Sequence, residues 1–116
     1  PLAVSTALKI IDHGPNLLLL DCLTLLVSNI LLQMEQEPQD AIEQHIEQEL
    51  NAILKTQQQL ESDLIIVSNE VGLGLVPPYP LGRVYRDLLG RANQHLAARA
   101  DCVLFMVAGL PMTVKG

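Results

Sequence analysis

Three short apolar runs punctuate the chain, each closed by residues that stop a strand. Leu17-Leu18-Leu19-Leu20 lies between Gly14-Pro15-Asn16 and Asp21, and Leu64-Ile65-Ile66-Val67 ends at Ser68-Asn69. The third runs from Cys102 to Val107 and is stopped by Gly109 and Pro111. Continuous rather than alternating apolar character predicts strands buried on both faces, as in parallel sheets. Met112 to Lys115 is expected to return as a short final strand after the Gly109-Leu110-Pro111 turn.

Between these runs the period lengthens. From Pro38 to Leu60 the apolar positions Ile42, Ile46, Leu50, Ile53, Leu54 and Leu60 form a helical stripe, with Glu and Gln opposite. Pro38 suits the first turn, and Glu43, Glu47 and Glu49 read as a solvated face. Leu81, Tyr85, Leu88, Leu89, Ala92 and Leu96 mark a second helix, and Leu23 to Leu32 a third that is apolar nearly all round. The order strand, helix, helix, strand, helix, strand predicts one α/β domain over residues 1–116, a mostly parallel sheet with helices on both faces. Ligands of such sheets collect beyond the carboxyl ends of the strands. That rule selects Asp21-Cys22, Asn69 to Pro80 and Ala108 to Met112.

Composition narrows the classes. The 116 residues are 49% apolar and 17% charged, with a net charge of −6, which fits a folded chain and leaves no broad basic surface for nucleic acid. The apolar run at Leu17 is too short to span a membrane, and Pro1-Leu2-Ala3 has no basic signal-peptide region. Cys22 and Cys102 lack metal or redox spacing and read as reduced core thiols of a cytoplasmic protein. His13, His45 and His95 have no partner at metal spacing and read as surface residues. The chain begins without Met, so residues missing upstream are expected.

Asp21 follows four leucines. An aspartate at the tip of a buried strand is placed as P-loop enzymes place the one that organises Mg²⁺, and it is equally placed to cap the helix starting near Cys22. The stretch Asn69-Glu70-Val71-Gly72-Leu73-Gly74-Leu75-Val76-Pro77-Pro78 puts two polar residues at a strand tip and then a loop shaped by glycine and proline. It is not a dinucleotide loop, because Pro77 stands where a third glycine belongs. Gly90 interrupts a helix at a cost of about 1 kcal/mol relative to Ala, with Arg86, Asp87, Asn93 and Gln94 around it. That suggests close approach by a backbone, ligand or subunit, or an incidental glycine on a polar face.

These stretches together resemble the bifunctional adenosylcobinamide kinase/adenosylcobinamide-phosphate guanylyltransferase family of cobalamin biosynthesis. The resemblance rests on Leu19 to Leu25 with Ser28-Asn29, on Ser68 to Pro77, and on Arg83, Tyr85-Arg86-Asp87, Gly90-Arg91 and Asn93-Gln94. It continues through Ala97-Ala98 and Ala100-Asp101 to Ala108-Gly109-Leu110-Pro111. It implies a P-loop, RecA-like fold that phosphorylates adenosylcobinamide from ATP or GTP and then transfers GMP from GTP onto the phosphate. It also implies a covalent histidine intermediate and a trimeric ring. By resemblance Asp21 takes the acidic Walker B place and organises Mg²⁺, Glu70 joins it as a catalytic residue, and Asn69, Gly72, Arg86, Asn93 and Gln94 fall to nucleotide binding.

Two family features are absent. There is no Gly-x-x-x-x-Gly-Lys-Ser/Thr loop, and the family's guanylylated histidine lies upstream of the position equivalent to Pro1, so His13 does not take that role. The chain reads as the second part of such an enzyme, its N-terminal portion missing, and inactive alone. A non-catalytic α/β module that binds a nucleotide or partner is the alternative. Another P-loop phosphotransferase would leave the Asn69 to Pro77 loop without a reason.

Overall fold

A computed structural model describes Val4, Ser5 and residues 17–72 and 77–116. Its elements run β1 (Leu17–Asp21), α1 (Leu23–Gln33), α2 (Gln39–Gln59), β2 (Asp63–Val67), α3 (Pro80–Arg99), β3 (Val103–Val107) and β4 (Leu110–Lys115). The order matches the alternation of apolar runs and helical stripes. The protein is α/β with a small parallel sheet, in which β1 and β2 pair with Leu17 opposite Asp63 and Asp21 opposite Val67.

The core forms where three helical stripes meet. α1 buries Leu23, Leu26, Val27, Ile30 and Leu31, the i, i+3, i+4, i+7, i+8 face. α2 contributes Ile42, Ile46, Leu50 and Ile53, and α3 contributes Leu88, Leu89 and Ala92. α3 packs on both other helices. Pro38 stands at the N-cap of α2 rather than in its first turn. The stripe of α2 turns through buried Thr56, whose hydroxyl donates to Ala52 O at 2.8 Å, while Leu54 and Leu60 are only half-buried. The acidic face of α2 also does more than meet water. Arg91 on α3 donates to both oxygens of Glu43 at 3.1 Å, and Glu49 accepts the Ser5 N–H and hydroxyl at 2.8 and 3.0 Å.

The described strands make up only part of the expected sheet. They form one parallel pair, β1–β2, and one antiparallel pair, β3–β4, the latter being the expected return of the final strand. β1 and β2 are covered by the described helices on one side only. Leu64 and Ile66 pack on the helical core, whereas Leu17, Leu19, Ile65 and Val67 are exposed. Continuous apolar runs signal two faces to be covered, yet the helices described here lie against one. β3 and β4 join through Ala108 and Gly109, both at positive φ (50° and 77°). Two such central residues give the tight turn that matches hairpin twist, so the turn precedes Leu110 and Pro111 already belongs to β4. Lys115 then ties the hairpin to α3, donating to Ala97 O and Ala98 O at 3.0 and 3.2 Å at the helix's negative end.

Candidate functional site

Parallel pairing puts the ends of β1 and β2 at one edge. Asp21 is the last residue of β1 and lies opposite Val67, so Asp21 and the Ser68-Asn69-Glu70 segment leave the sheet side by side. The Cys22 N-cap position of α1 carries no side-chain cap, and the Asp21 carboxylate is exposed with no hydrogen-bond or ion-pair partner among the described residues. Among the described residues this disfavours a capping role and leaves the carboxylate unpaired at the strand tip. No group of three or more His, Cys, Asp or Glu side chains that could hold a metal occurs among the described residues. A lone hard oxygen donor still fits Mg²⁺, which keeps most of its waters and takes one or two carboxylates.

The loop after β2 is held in a definite shape. Glu70 Oε1 accepts the Gly72 N–H at 2.5 Å. A Cβ on Gly72 would sit 2.9 Å from that oxygen, so a side chain here would displace Glu70. The remaining contacts come from α3. Asn93 Nδ2 donates to Asn69 O at 2.9 Å and Asn93 Oδ1 accepts from the Ser68 hydroxyl at 2.6 Å. Arg86 Nη2 donates to Gly72 O at 3.1 Å, and Arg83 Nη1 to Pro77 O at 3.2 Å. Arg86 and Asn93 thus point their polar ends at the loop backbone, while Gln94 is exposed without a partner among the described residues. Gly74 and Val76 of the sequence motif lie outside the described residues.

Sequence reasoning missed Ser68 and Arg83 as part of this arrangement, although both lie in stretches it singled out. It also passed over Thr24 and Tyr85, which interact with each other beside Cys22. Burial pushes the Tyr85 phenol above the usual tyrosine range, the Thr24 hydroxyl works against that rise, and Cys22 adds slightly to it. The buried Thr24 Oγ1 nevertheless has no hydrogen bond of adequate geometry among the described residues.

Of the other candidates, Cys102 is exposed and so is not a core thiol, while Cys22 is half-buried and also free. His45 is exposed, His95 joins α2 to α3, and His13 lies outside the described residues. The third sheet-tip segment, Ala108 to Met112, is taken up by the hairpin. An open polar trough of about 570 Å³ lined by Asn51, Lys55, Gln57, Arg99 and Asp101 contains none of the proposed site residues.

An α/β chain whose free carboxylate and glycine-bearing loop share the carboxyl edge of a parallel strand pair belongs to a broad class of ligand-binding proteins. The sequence places it within that class. Residues 1–114 match the cobinamide kinase / cobinamide phosphate guanyltransferase family, and the chain belongs to that family. It is 38% identical over 111 residues to the bifunctional adenosylcobalamin biosynthesis protein CobU of Salmonella typhimurium, covering 90% of the chain and 61% of that relative. The protein of the same name from Escherichia coli is 37% identical over the same shares. The bifunctional adenosylcobalamin biosynthesis protein CobP of Pseudomonas aeruginosa is 41% identical over 116 residues, all of this chain and 63% of that relative. The chain therefore spans less than two thirds of the length of these relatives.

Proposed function

We propose that the chain supplies one side of the nucleotide site of a bifunctional cobalamin-biosynthesis enzyme. That enzyme phosphorylates adenosylcobinamide from GTP or ATP and then transfers GMP from GTP to the adenosylcobinamide phosphate. The observation that carries this reading is the meeting of Asp21 and the Asn69–Gly72 loop at one sheet edge in a member of this family. Asp21 would hold Mg²⁺ through water, and the ion would neutralise charge on the transferring phosphate. The chain's own contribution is a fixed negative charge at the strand tip and a loop of set shape beside it. Asn69 and Gln94 offer side-chain amide groups to the nucleotide, and Gly72, whose N–H and carbonyl are taken by Glu70 and Arg86, leaves room for it to approach the loop. Glu70, one oxygen occupied by the loop, has Oε2 left for a catalytic contact.

The rest of such an enzyme would carry the phosphate-binding loop and the guanylylated histidine, and would complete a mostly parallel RecA-like sheet. A cytoplasmic homotrimer is part of this proposal. No helix among the described residues is long and apolar enough to cross a membrane. Without backbone N–H groups and a lysine around the β- and γ-phosphates, the isolated chain is expected to transfer neither phosphate nor GMP.

Asp21→Asn in the full-length enzyme tests the reading. It keeps the volume and removes the charge, so turnover with Mg²⁺ and nucleotide should fall roughly 100-fold or more. Stability should change by less than about 0.5 kcal/mol, as for an exposed side chain without partners. Parallel measurement of turnover and melting temperature decides it, since retained turnover would remove Asp21 from the site.

A further inference from the structure

One stripe of α3 holds both sides of the motif loop. At about 100° per residue, Arg83, Arg86, Gly90 and Asn93 fall within about 80° of the helix circumference. Asn93 grips the loop where it leaves β2, through Ser68 and Asn69, and Arg86 grips it at Gly72. Arg83 takes the Pro77 carbonyl on the far side. Between the polar contacts, a Cβ on Gly90 would lie 3.8 Å from Val71 Cγ2, so the glycine is where the loop's apolar side chain seats on the helix. Val71 in turn packs on the buried core.

Three separate carbonyls along one loop receive donors from one helix face. A solvated polar face would scatter its contacts, and side chains reserved for a ligand would not be engaged by the protein's own backbone. We propose that Arg83, Arg86 and Asn93 are positioning residues, with Gly90 as the seat for Val71. Together they use α3 as a rigid template that fixes the Asn69–Gly72 loop against the sheet edge. The inference rests on the reading of that loop as part of the nucleotide site. It changes the role of Arg86 and Asn93 from touching nucleotide to shaping what touches it.

The test uses the full-length protein and two readouts. The first is the backbone ¹⁵N order parameters of residues 69–72. In the wild type they should be near 0.85, as for rigid backbone, and in Asn93→Ala and Arg86→Met they should fall below about 0.6. The conservative changes separate the bonds. Arg86→Lys keeps a donor for Gly72 O and should retain most of the order, whereas Asn93→Asp keeps an acceptor for Ser68 but loses the donor to Asn69 O. Ser68→Ala probes the same junction from its exposed side and decides the matter if the Asn93 variants do not fold.

The second readout is the split between KM for Mg-GTP and kcat. A disordered binding loop should raise KM about 3- to 10-fold, the cost of roughly 1 kcal/mol of ordering, with a smaller change in kcat. The α1 and α2 order parameters should not change.

Unchanged order at 69–72 in every variant would overturn the proposal, as would loosening spread equally through the helical core. Loosening with both kinetic constants unaltered would also overturn it, because the loop would then be held for no ligand. If the wild type shows neither activity, the proposed function fails, and the order parameters alone still decide whether α3 holds the loop.

Discussion

His95 lies between α2 and α3, its Nε2 2.8 Å from Asn51 Oδ1 and its Nδ1 3.7 Å from a Glu47 oxygen. Burial lowers its pKa below the usual histidine value, Arg99 lowers it further, and Glu47 partly offsets both. The neutral ring, donating from Nε2 to Asn51, is the form the fold accommodates. With the folded pKa below the unfolded one, the unfolded chain takes up the proton first as pH falls. The stabilising contribution is therefore present above about pH 6.5 and lost as pH drops through the folded value. Urea midpoints between pH 8 and pH 5 should fall more steeply for the wild type than for His95→Gln, and equal slopes would remove His95 from the account. This residue had no legible partner in the sequence, because Asn51 and Glu47 come from another helix 44 and 48 positions away. Asp21 was more legible, since a charge ending four leucines is conspicuous in any fold. The sequence left it equally placed for a metal or a cap, and the structure adds only that the Cys22 N-cap makes no side-chain cap bond.

At the scale of elements, order and type could be read because each strand and helix writes its own period into the chain. Pairing could not, because it depends on which edges and faces other segments cover. The four-leucine run predicted burial on both sides, and Leu17 and Leu19 are instead 52% and 63% exposed. Gly90 shows the same limit within a helix. A mid-helix glycine suggested either close approach or an incidental residue on a polar face, and the neighbour is Val71 of the same chain at ordinary contact distance. Ala at position 90 fits that space, so Gly90→Ala should stabilise α3 by about 0.5–1 kcal/mol through helix propensity, raising the melting temperature by a few degrees. Gly90→Leu should displace Val71 and lower it. Calorimetry on both variants checks the pair. A destabilising alanine would mean that something closer than Val71, such as another subunit, occupies this face.

At the scale of the whole molecule, two sheets present apolar side chains to solvent. On β1–β2 the outer face carries Leu17, Leu19, Ile65 and Val67, and the β3–β4 hairpin exposes Leu104, Met106, Leu110, Met112 and Val114 among others. Edge strands with free N–H and C=O groups and little charge tend to pair with another chain, and large exposed apolar patches mark surfaces that another chain covers. The 116-residue chain should therefore self-associate when isolated. The route is through these strands and not through the α3 stripe at Gly90, which the chain's own loop already occupies. Sedimentation equilibrium across a concentration series reads the association directly. Ile65→Lys together with Met112→Lys should shift the chain toward monomer, because both side chains are exposed and the added charges repel across any paired copy. Gly90→Leu should leave the assembly intact. A strict monomer at high concentration would refute the edge argument, and an assembly dissolved by Gly90→Leu but indifferent to the lysines would move the contact to α3.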